Sequence, residues 1–345
     1  MENTIEQHDI ALDVTVETTS TFVFDLQLFA GSASGIMQTN TFVQSQTKVV
    51  TRIFDKSNPE APEFWSLWFN DWEGEKARSY FQMLPIFGFG APQLKTEGAL
   101  TPLDQGGEGT AVMFPYSTFG LKYGITYEGR MEDPQNINGK FPRLLRFAAD
   151  QGVELNVWNT LNQAFNASVP IWDGQSLCSS AHTLAGPQGG TYSNYLGAVA
   201  LTVETKTQAD ILLSTLPDDR GLATYRTGKY LVVPTGLWQV AEEITGSKFY
   251  PNSDENRINV QFGKCEPMVV RYLQPNIGAG PFPWFVSAGK GELGSDAHPC
   301  FVSMKVRHSQ EVWYDNDART LYHSTLDRYV FGAGDGRGIV GSQGA

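Results

Sequence analysis

Cys178 and His182 stand four residues apart, and His298 and Cys300 flank Pro299. Two thiolates and two imidazoles make the donor set of a tetrahedral zinc site. Structural zinc pairs are usually spaced more tightly, as Cys-x-x-Cys, so isolated thiols and histidines in packed positions are the plainer reading. Asp218-Asp219-Arg220 offers an acid pair beside an activating guanidinium. A catalytic pair must converge on one point, whereas adjacent side chains diverge. A turn after Pro217, with Arg220 held by carboxylates, explains the same residues. Gly174-Gln175-Ser176-Leu177-Cys178 lacks the second glycine of a nucleophile elbow. No His-Glu-x-x-His is present, and Gly246-Ser247-Lys248 lacks the spacing and the hydroxyl residue of a phosphate loop. In Gly332-Ala333-Gly334-Asp335-Gly336-Arg337-Gly338 the glycine spacing is wrong for a dinucleotide fingerprint, and too little chain follows for the helix that phosphates need. A flexible, close-packed C-terminal turn is expected there instead. These residues point to no catalytic site, no cofactor and no metal.

The composition bounds the chain. At 345 residues, with 41% hydrophobic and 18% charged residues, it is long enough for one large domain or two moderate ones. Three cysteines make no disulfide framework and read as reduced thiols of a protein assembled in cytoplasm. No stretch approaches the roughly 18 apolar residues of a membrane span. The run Phe22-Val23-Phe24 has no basic leader and is soon interrupted by Asp25 and Gln27, so no secretory signal is expected. The net charge of −12 is placed unevenly, since residues 1–47 contain no Lys or Arg. Such a protein gains little from neutralising phosphates, which argues against sequence-specific nucleic-acid binding. The charge suits a container that must not stick to an enclosed polyanion.

The elements that would position these residues follow from periodicity. Alternation predicts a strand over Ala11–Val23, followed by an arm with Gly31-Ser32-Ala33-Ser34-Gly35 as its elbow. Residues 61–72, rich in aromatics, form a helix candidate. Phe81–Phe89 and Thr110–Tyr127 read as two extended arms around a polar, Gly/Pro-rich centre that cannot bury itself, an excursion of the functional kind. Over 140–166, Phe141, Leu144, Leu145, Ala148, Leu155, Trp158, Leu161 and Phe165 recur at helical spacing, with Pro142 near the first turn. Further helices are predicted over 204–216 and 235–246, and strands over 229–233, 267–273, 283–288 and 301–307. The total is α+β.

A set of short motifs occurs in a telling order: Asp173-Gly174-Gln175-Ser176-Leu177-Cys178-Ser179-Ser180-Ala181-His182, Gly190-Thr191-Tyr192-Ser193-Asn194, Asp219-Arg220-Gly221-Leu222, Leu231-Val232-Val233-Pro234 and Asp335-Gly336-Arg337-Gly338. Together they resemble the major head subunit of tailed bacteriophages, in the Mu-like branch of the Hong Kong 97 capsid fold. The likeness runs from about Phe81 to Ala345 and is strongest at 161–240 and 300–345. There are two departures: the family often has an aromatic where Gly336 stands and a proline where Thr183 stands. The acidic residues 1–47 do not resemble the usual short start, although Phe24–Ala30 looks like the opening of other phage head proteins.

The resemblance implies an N-terminal arm (1–60), an extended β-hairpin loop (81–128), a peripheral domain (61–80, 129–221 and 301–345) with spine helix 140–166, and an axial domain (222–300). It implies pentamers and hexamers of one chain closing into an icosahedral shell around double-stranded DNA, without sequence-specific binding and without a membrane. Assembly would take place in the bacterial cytoplasm, with a portal and a scaffold or cement (decoration) protein as partners. Contacts between subunits would fall on Phe22, Phe24, Leu26 and Phe29 of the arm and on Pro92, Lys95, Glu97, Asp104 and Glu108 of the loop. Asp219, Arg220, Arg328 and Arg337 would contribute as well. Lys95 is the obvious amine for a covalent cross-link, but no asparagine partner stands out and none is expected. An encapsulin-like nanocompartment shell is the alternative of the same fold. A secreted, β-rich carbohydrate-binding or hydrolytic protein is the alternative of another class, suggested by 8 Trp and 13 Tyr.

Overall fold

A long helix under a long hairpin organises the fold. The computed structural model describes residues 54, 63–72, 78–133, 137–187, 189–250, 257–273, 281–289 and 300–345. The expected Ala11–Val23 strand, the glycine elbow, Phe22, Phe24, Leu26, Phe29 and His298 lie outside them.

In chain order the elements are α1 (Trp65–Trp68), β1 (Asn70–Asp71), β2 (Tyr80–Met83), β3 (Ile86–Phe87), β4 (Gly107–Glu108), β5 (Val112–Pro115) and β6 (Ser117–Thr126). Next come α2 (Tyr127–Met131), α3 (Ile137–Asn162), β7 (His182–Thr183), β8 (Thr191–Tyr192), α4 (Val203–Thr215) and β9 (Tyr230–Pro234). A 3₁₀ turn, Thr235–Leu237, leads into α5 (Trp238–Gly246), followed by β10 (Glu266–Val270), β11 (Trp284–Ser287), β12 (Cys300–Asp315), β13 (Thr320–Ala333) and β14 (Ile339–Ser342). One four-stranded sheet runs β1-β12-β13-β6 and another runs β10-β9-β11-β14. The β1–β12 and β9–β10 pairs are parallel and the other neighbours antiparallel. Strand β14, from the segment expected in the peripheral domain, thus completes the sheet built from the segment expected to be axial.

Several elements differ from the periodicity. The aromatic segment 61–72 is helical only over Trp65–Trp68, because the chain then turns extended to pair Asn70 and Asp71 with Phe301 and Val302. Helix α3 starts at Ile137 rather than 140, which leaves Pro142 inside the helix. Asp133 makes the earlier start possible: its Oδ2 accepts from the Asn138 amide at 2.8 Å, satisfying one of the donors that a helix N-terminus leaves open. Helix α3 ends at Asn162, and residues 163–166 continue as turns in which the Ala164 amide donates to Leu161 O and the Asn166 amide to Gln163 O. The return arm Thr110–Tyr127 is two strands: β5 pairs with β2, whereas β6 leaves the loop and pairs with β13 from Thr320↔Thr126 to Tyr329↔Ser117. The strand expected over 301–307 runs to Asp315, because β13 returns beside it for its whole length.

The buried face of α3 is the row of every fourth residue, Leu145, Ala149, Val153, Val157 and Leu161, together with Trp158. Leu144 and Leu155, assigned to that stripe from spacing, are exposed at 57% and 55%. Trp65, Trp68 and Phe69 pack on Trp158, with Trp68 stacked on it at 5.7 Å. Burying rings and aliphatic chains of this size contributes roughly 1.5–3 kcal/mol each. The same face carries two buried carboxylates. Glu154 accepts from the Trp65 amide at 3.2 Å and from Trp158 Nε1 at 2.7 Å, and burial raises its pKa. Asp150 faces His308 on β12 and pairs with Arg146 on its own helix. A second core joins α4 and α5 to the β9–β11–β14 sheet through Leu213, Ala241, Ile244, Trp284 and Val340.

Candidate functional site

Two regions hold the residues singled out from sequence: a buried polar junction and the long loop. The junction forms where the connectors β7–β8, α4–β9 and β13–β14 meet. All three contain Gly, the second and third carry Asp and Arg, and the backbone alone cannot satisfy the polar groups so enclosed. Arg337, 5% exposed, sits at its centre. Its Nε and Nη2 donate to Asp335 at 2.8 and 2.7 Å, and its Nη1 reaches Asp219 at 2.9 Å and Asp218 at 3.4 Å. Burial alone would lower the Arg337 pKa, but the charge and hydrogen bond of Asp335, with the charge of Asp219, together outweigh it and raise it. For Asp335, burial raises the pKa and Arg337 more than reverses the effect. Asp219 also accepts from the Ala185 amide at 3.1 Å, which ties in the β7–β8 connector.

Beside this ion cluster, His182 Nδ1 pairs with Asp173 at 2.7 Å, and its ring stacks on Tyr192 at 4.9 Å. Asn194 accepts from the Ser179 amide at 2.8 Å and donates to the carbonyls of Leu177 and Gly336 at 2.8 and 2.7 Å. Four of the five motifs that carry the family resemblance therefore meet here, held by hydrogen bonds and ion pairs. The segment expected to be a flexible C-terminal turn is almost wholly buried between Ala333 and Ser342. A Cβ at Gly336 would come within 2.9 Å of Asn194 Nδ2 and 3.0 Å of His182 Nε2. An aromatic at this position would need both side chains to move. Gly336→Ala is expected to cost about 1–3 kcal/mol by overpacking, read as a lowered unfolding midpoint in urea. An unchanged midpoint would show that the junction is looser than these contacts imply.

The zinc reading finds no support in the geometry. Cys178 and Cys300 are buried in the apolar core, and His182 is taken by Asp173 and Asn194. Burial raises the pKa of both thiols, which disfavours the thiolate that a metal would need. Among the described residues no group of three or more His, Cys, Asp or Glu side chains could hold a metal ion, and no helix is long and apolar enough to cross a membrane.

The loop leaves the body through the β2–β5 pair and the two-residue β3–β4 ladder, Ile86↔Glu108 and Phe87↔Gly107. Beyond it, residues 88–106 have no regular structure. Pro92, Lys95 and Glu97 are exposed, as is Glu108. Asp104 behaves differently, since it folds the tip back. Its Oδ2 accepts from the Gly90 amide at 2.7 Å, and its Oδ1 pairs with Arg220. Arg220, with the Gly90 and Gln105 amides, holds the Asp104 carboxyl down to about 2. Three leucines missed in the sequence, Leu94, Leu100 and Leu103, are 94%, 95% and 99% exposed.

Asp219, Arg220 and Arg337, expected as contacts between subunits, make their ion pairs within one chain. Arg328 lies on β13 between Thr118 and Val306, half-buried, with Nε lacking a protein partner. Sequence reading also missed Asp150, Glu154 and His308. Two acids four apart on the apolar face of a predicted helix were the available signal for the first two. Nothing in the sequence marked His308.

A family model described as phage capsid protein matches residues 113–342. No curated protein sequence matches the chain. The fold is similar to the capsid structure of cyanophage P-SCSP1u, with 8% identity and a TM-score of 0.57 over 84% of this chain and 90% of that one. It is also similar to a structure from Microbacterium phage Oxtober96 (7% identity, TM-score 0.51, 84% and 94% covered) and to the capsid of bacteriophage JBD30 (12% identity, TM-score 0.52, 64% and 94% covered). The matched span takes in helix α3, the whole β10-β9-β11-β14 sheet, strands β6, β12 and β13 of the other and all the residues of the ion cluster, and the chain belongs to the phage capsid protein family, as a non-enzymatic structural subunit of the icosahedral head shell with the Hong Kong 97-type α+β fold.

Proposed function

We propose that this subunit builds pentamers and hexamers by laying its loop, residues 88–106, over the neighbouring copy. The observation that carries this reading is the loop itself, which is anchored at its base by Asp104–Arg220 yet presents Leu94, Leu100 and Leu103 to water. A segment that gains nothing from its own core gains roughly 1.5–3 kcal/mol per leucine when a neighbour covers it. Each such contact can be modest, because closure of a shell makes every copy bind several others at once. Strand β6 ends its sheet, and among the described residues nothing pairs with its outer edge over Ser117–Thr126. It offers main-chain donors and acceptors for strand addition from another copy. The domain division and the Mu-like placement belong to the same proposal. The Mu-like placement is supported by the convergence of His182, Tyr192, Asn194, Asp219 and Arg337 at one junction, while β14 crosses the proposed division to complete the β9–β11 sheet. The net charge of −12 fits a wall that encloses a polyanion without adhering to it. Portal, scaffold and decoration proteins remain the partners that such a shell would use.

Negative-stain electron microscopy of the protein expressed alone, with its sedimentation profile, tests this reading. Closed angular shells, or rings of five and six, are expected. A monodisperse monomer at every concentration would overturn self-assembly through the loop.

A further inference from the structure

Strand β12 carries two irregularities opposite the middle of β13, between Met304 and Val306 and between Val306 and Ser309. His308 lies in the second. Its φ of +49° is one that residues other than glycine rarely adopt, so its surroundings must hold it there. The backbone N–H of His308 donates to Asp327 Oδ1 on β13. Its side chain is 5% exposed and lies between two carboxylates: Nε2 is 3.0 Å from Asp150 Oδ1 on α3, and Nδ1 is 3.0 Å from Asp327 Oδ1. Carboxylates only accept hydrogen bonds, and a neutral imidazole has a single N–H. Nδ1 is not aligned to donate to Asp327, so that contact is an ion pair rather than a hydrogen bond, and only an imidazolium is attracted to both carboxylates.

We propose that Asp150–His308–Asp327 is a proton-controlled latch between the spine helix and the β12–β13 hairpin, closed while His308 carries its proton. Every charged group around it bears on that state. From α3, Asp150 favours the proton, and Arg146, whose Nε holds Asp150 at 3.0 and 3.1 Å, opposes it. From β13, Asp327 favours it. On β12 itself the neighbouring Arg307 is paired with Glu63. Burial disfavours the imidazolium, but Asp150 and Asp327 together outweigh it, and the His308 pKa is raised.

A raised folded pKa fixes the sign. The stabilisation is complete below the unfolded value of about 6.5 and is lost as the pH rises through the higher folded value. Loss of the proton removes the positive charge between Asp150 and Asp327 and leaves two buried carboxylates on either side of a neutral ring. Helix and hairpin are the longest elements of the fold, so a change of fit between them alters the subunit's shape. The consequence for the shell rests on the head-subunit reading; the latch itself does not.

The test melts purified full-length protein from about pH 5.5 to about pH 9.5, as wild type, His308→Gln and Asp327→Asn. Glutamine keeps one donor and cannot titrate. Asparagine keeps the acceptor for the His308 N–H while removing one charge. Wild type is expected to lose several degrees of Tm above the ordinary histidine range, with H308Q flat across the same window. D327N is expected to move the fall down by about one pH unit or more. A wild-type profile superimposable on that of H308Q would overturn the latch. Where H308Q does not fold, D327N decides, together with histidine-ring ¹⁵N signals of the wild type at neutral pH. Two protonated ring nitrogens support the latch and a neutral ring overturns it. Sedimentation of assembled shells over the same pH range should change for wild type and not for H308Q, and an identical response would overturn the shell consequence. Absence of shells would count against assembly, while the melts still decide the latch.

Discussion

Replacing Arg337 by methionine is expected to cost the subunit about 3–5 kcal/mol of folding stability, among the largest effects of any single substitution in this chain. The magnitude comes from what remains rather than from what is removed. Asp219 stays buried and Asp335 half-buried at the junction, and both lose their shared cation. Arg226, buried beside Arg337, remains, and burial already lowers its own pKa. The acid limb of the stability profile provides a second readout. The Asp335 pKa is depressed in the fold, so its contribution is present above the ordinary carboxylate value of about 4 and is lost as the pH falls through the lower folded value. In Arg337→Met the same carboxylate keeps its burial and loses its main partner, so acid unfolding should begin at higher pH. Urea unfolding at neutral pH and an acid titration by circular dichroism measure both effects. The double variant Asp335→Asn/Arg337→Met should recover part of the loss. A wild-type midpoint for Arg337→Met would mean that the junction does not depend on this ion cluster.

Serine at Leu94, Leu100 and Leu103 together is expected to leave the subunit folded and to abolish its shells. All three side chains lie in water within one chain, so the change in unfolding free energy should stay within about 0.5 kcal/mol. If each leucine is covered by a neighbour, its loss weakens a contact by about 1.5 kcal/mol or more, roughly tenfold in the association constant per residue. Because closure multiplies contacts, that loss falls on assembly as a whole. This variant is sharper than deletion of residues 92–108, which would also remove Asp104 and leave Arg220 without its partner. Sedimentation velocity and negative-stain microscopy should show the triple variant as small species at concentrations where wild type is particulate. Shells at wild-type yield would sink the proposal for the loop tip.

Much of this fold was legible from local pattern. The spine helix, the helices near 204–216 and 235–246 and the strands around 229–233 and 283–288 all follow from period and punctuation, because one face of each must be apolar. The loop was legible for the opposite reason: Ala91–Gly109 has too little apolar side chain to make a core. The ordered motifs from Asp173 to Gly338 carried the family, since they are the residues that close the buried junction.

Tertiary structure decided what spacing could not. Leu144 and Leu155 suit a helical stripe as well as Val153 and Val157 do, and only packing against β13 selects the buried row. Asp219, Arg220 and Arg337 were expected at contacts between subunits, with Arg220 held by carboxylates, and the carboxylate that holds Arg220 lies more than a hundred residues away, as does one that pairs with Arg337. His308 had no sequence signature at all. Its two carboxylates come from a helix and a strand that are distant in sequence, and only the bulge in β12 turns the ring toward both. Local propensity is a property of neighbours along the chain, whereas charge pairing depends on distance in space, and that distance is set only once the sheets and the spine helix have packed.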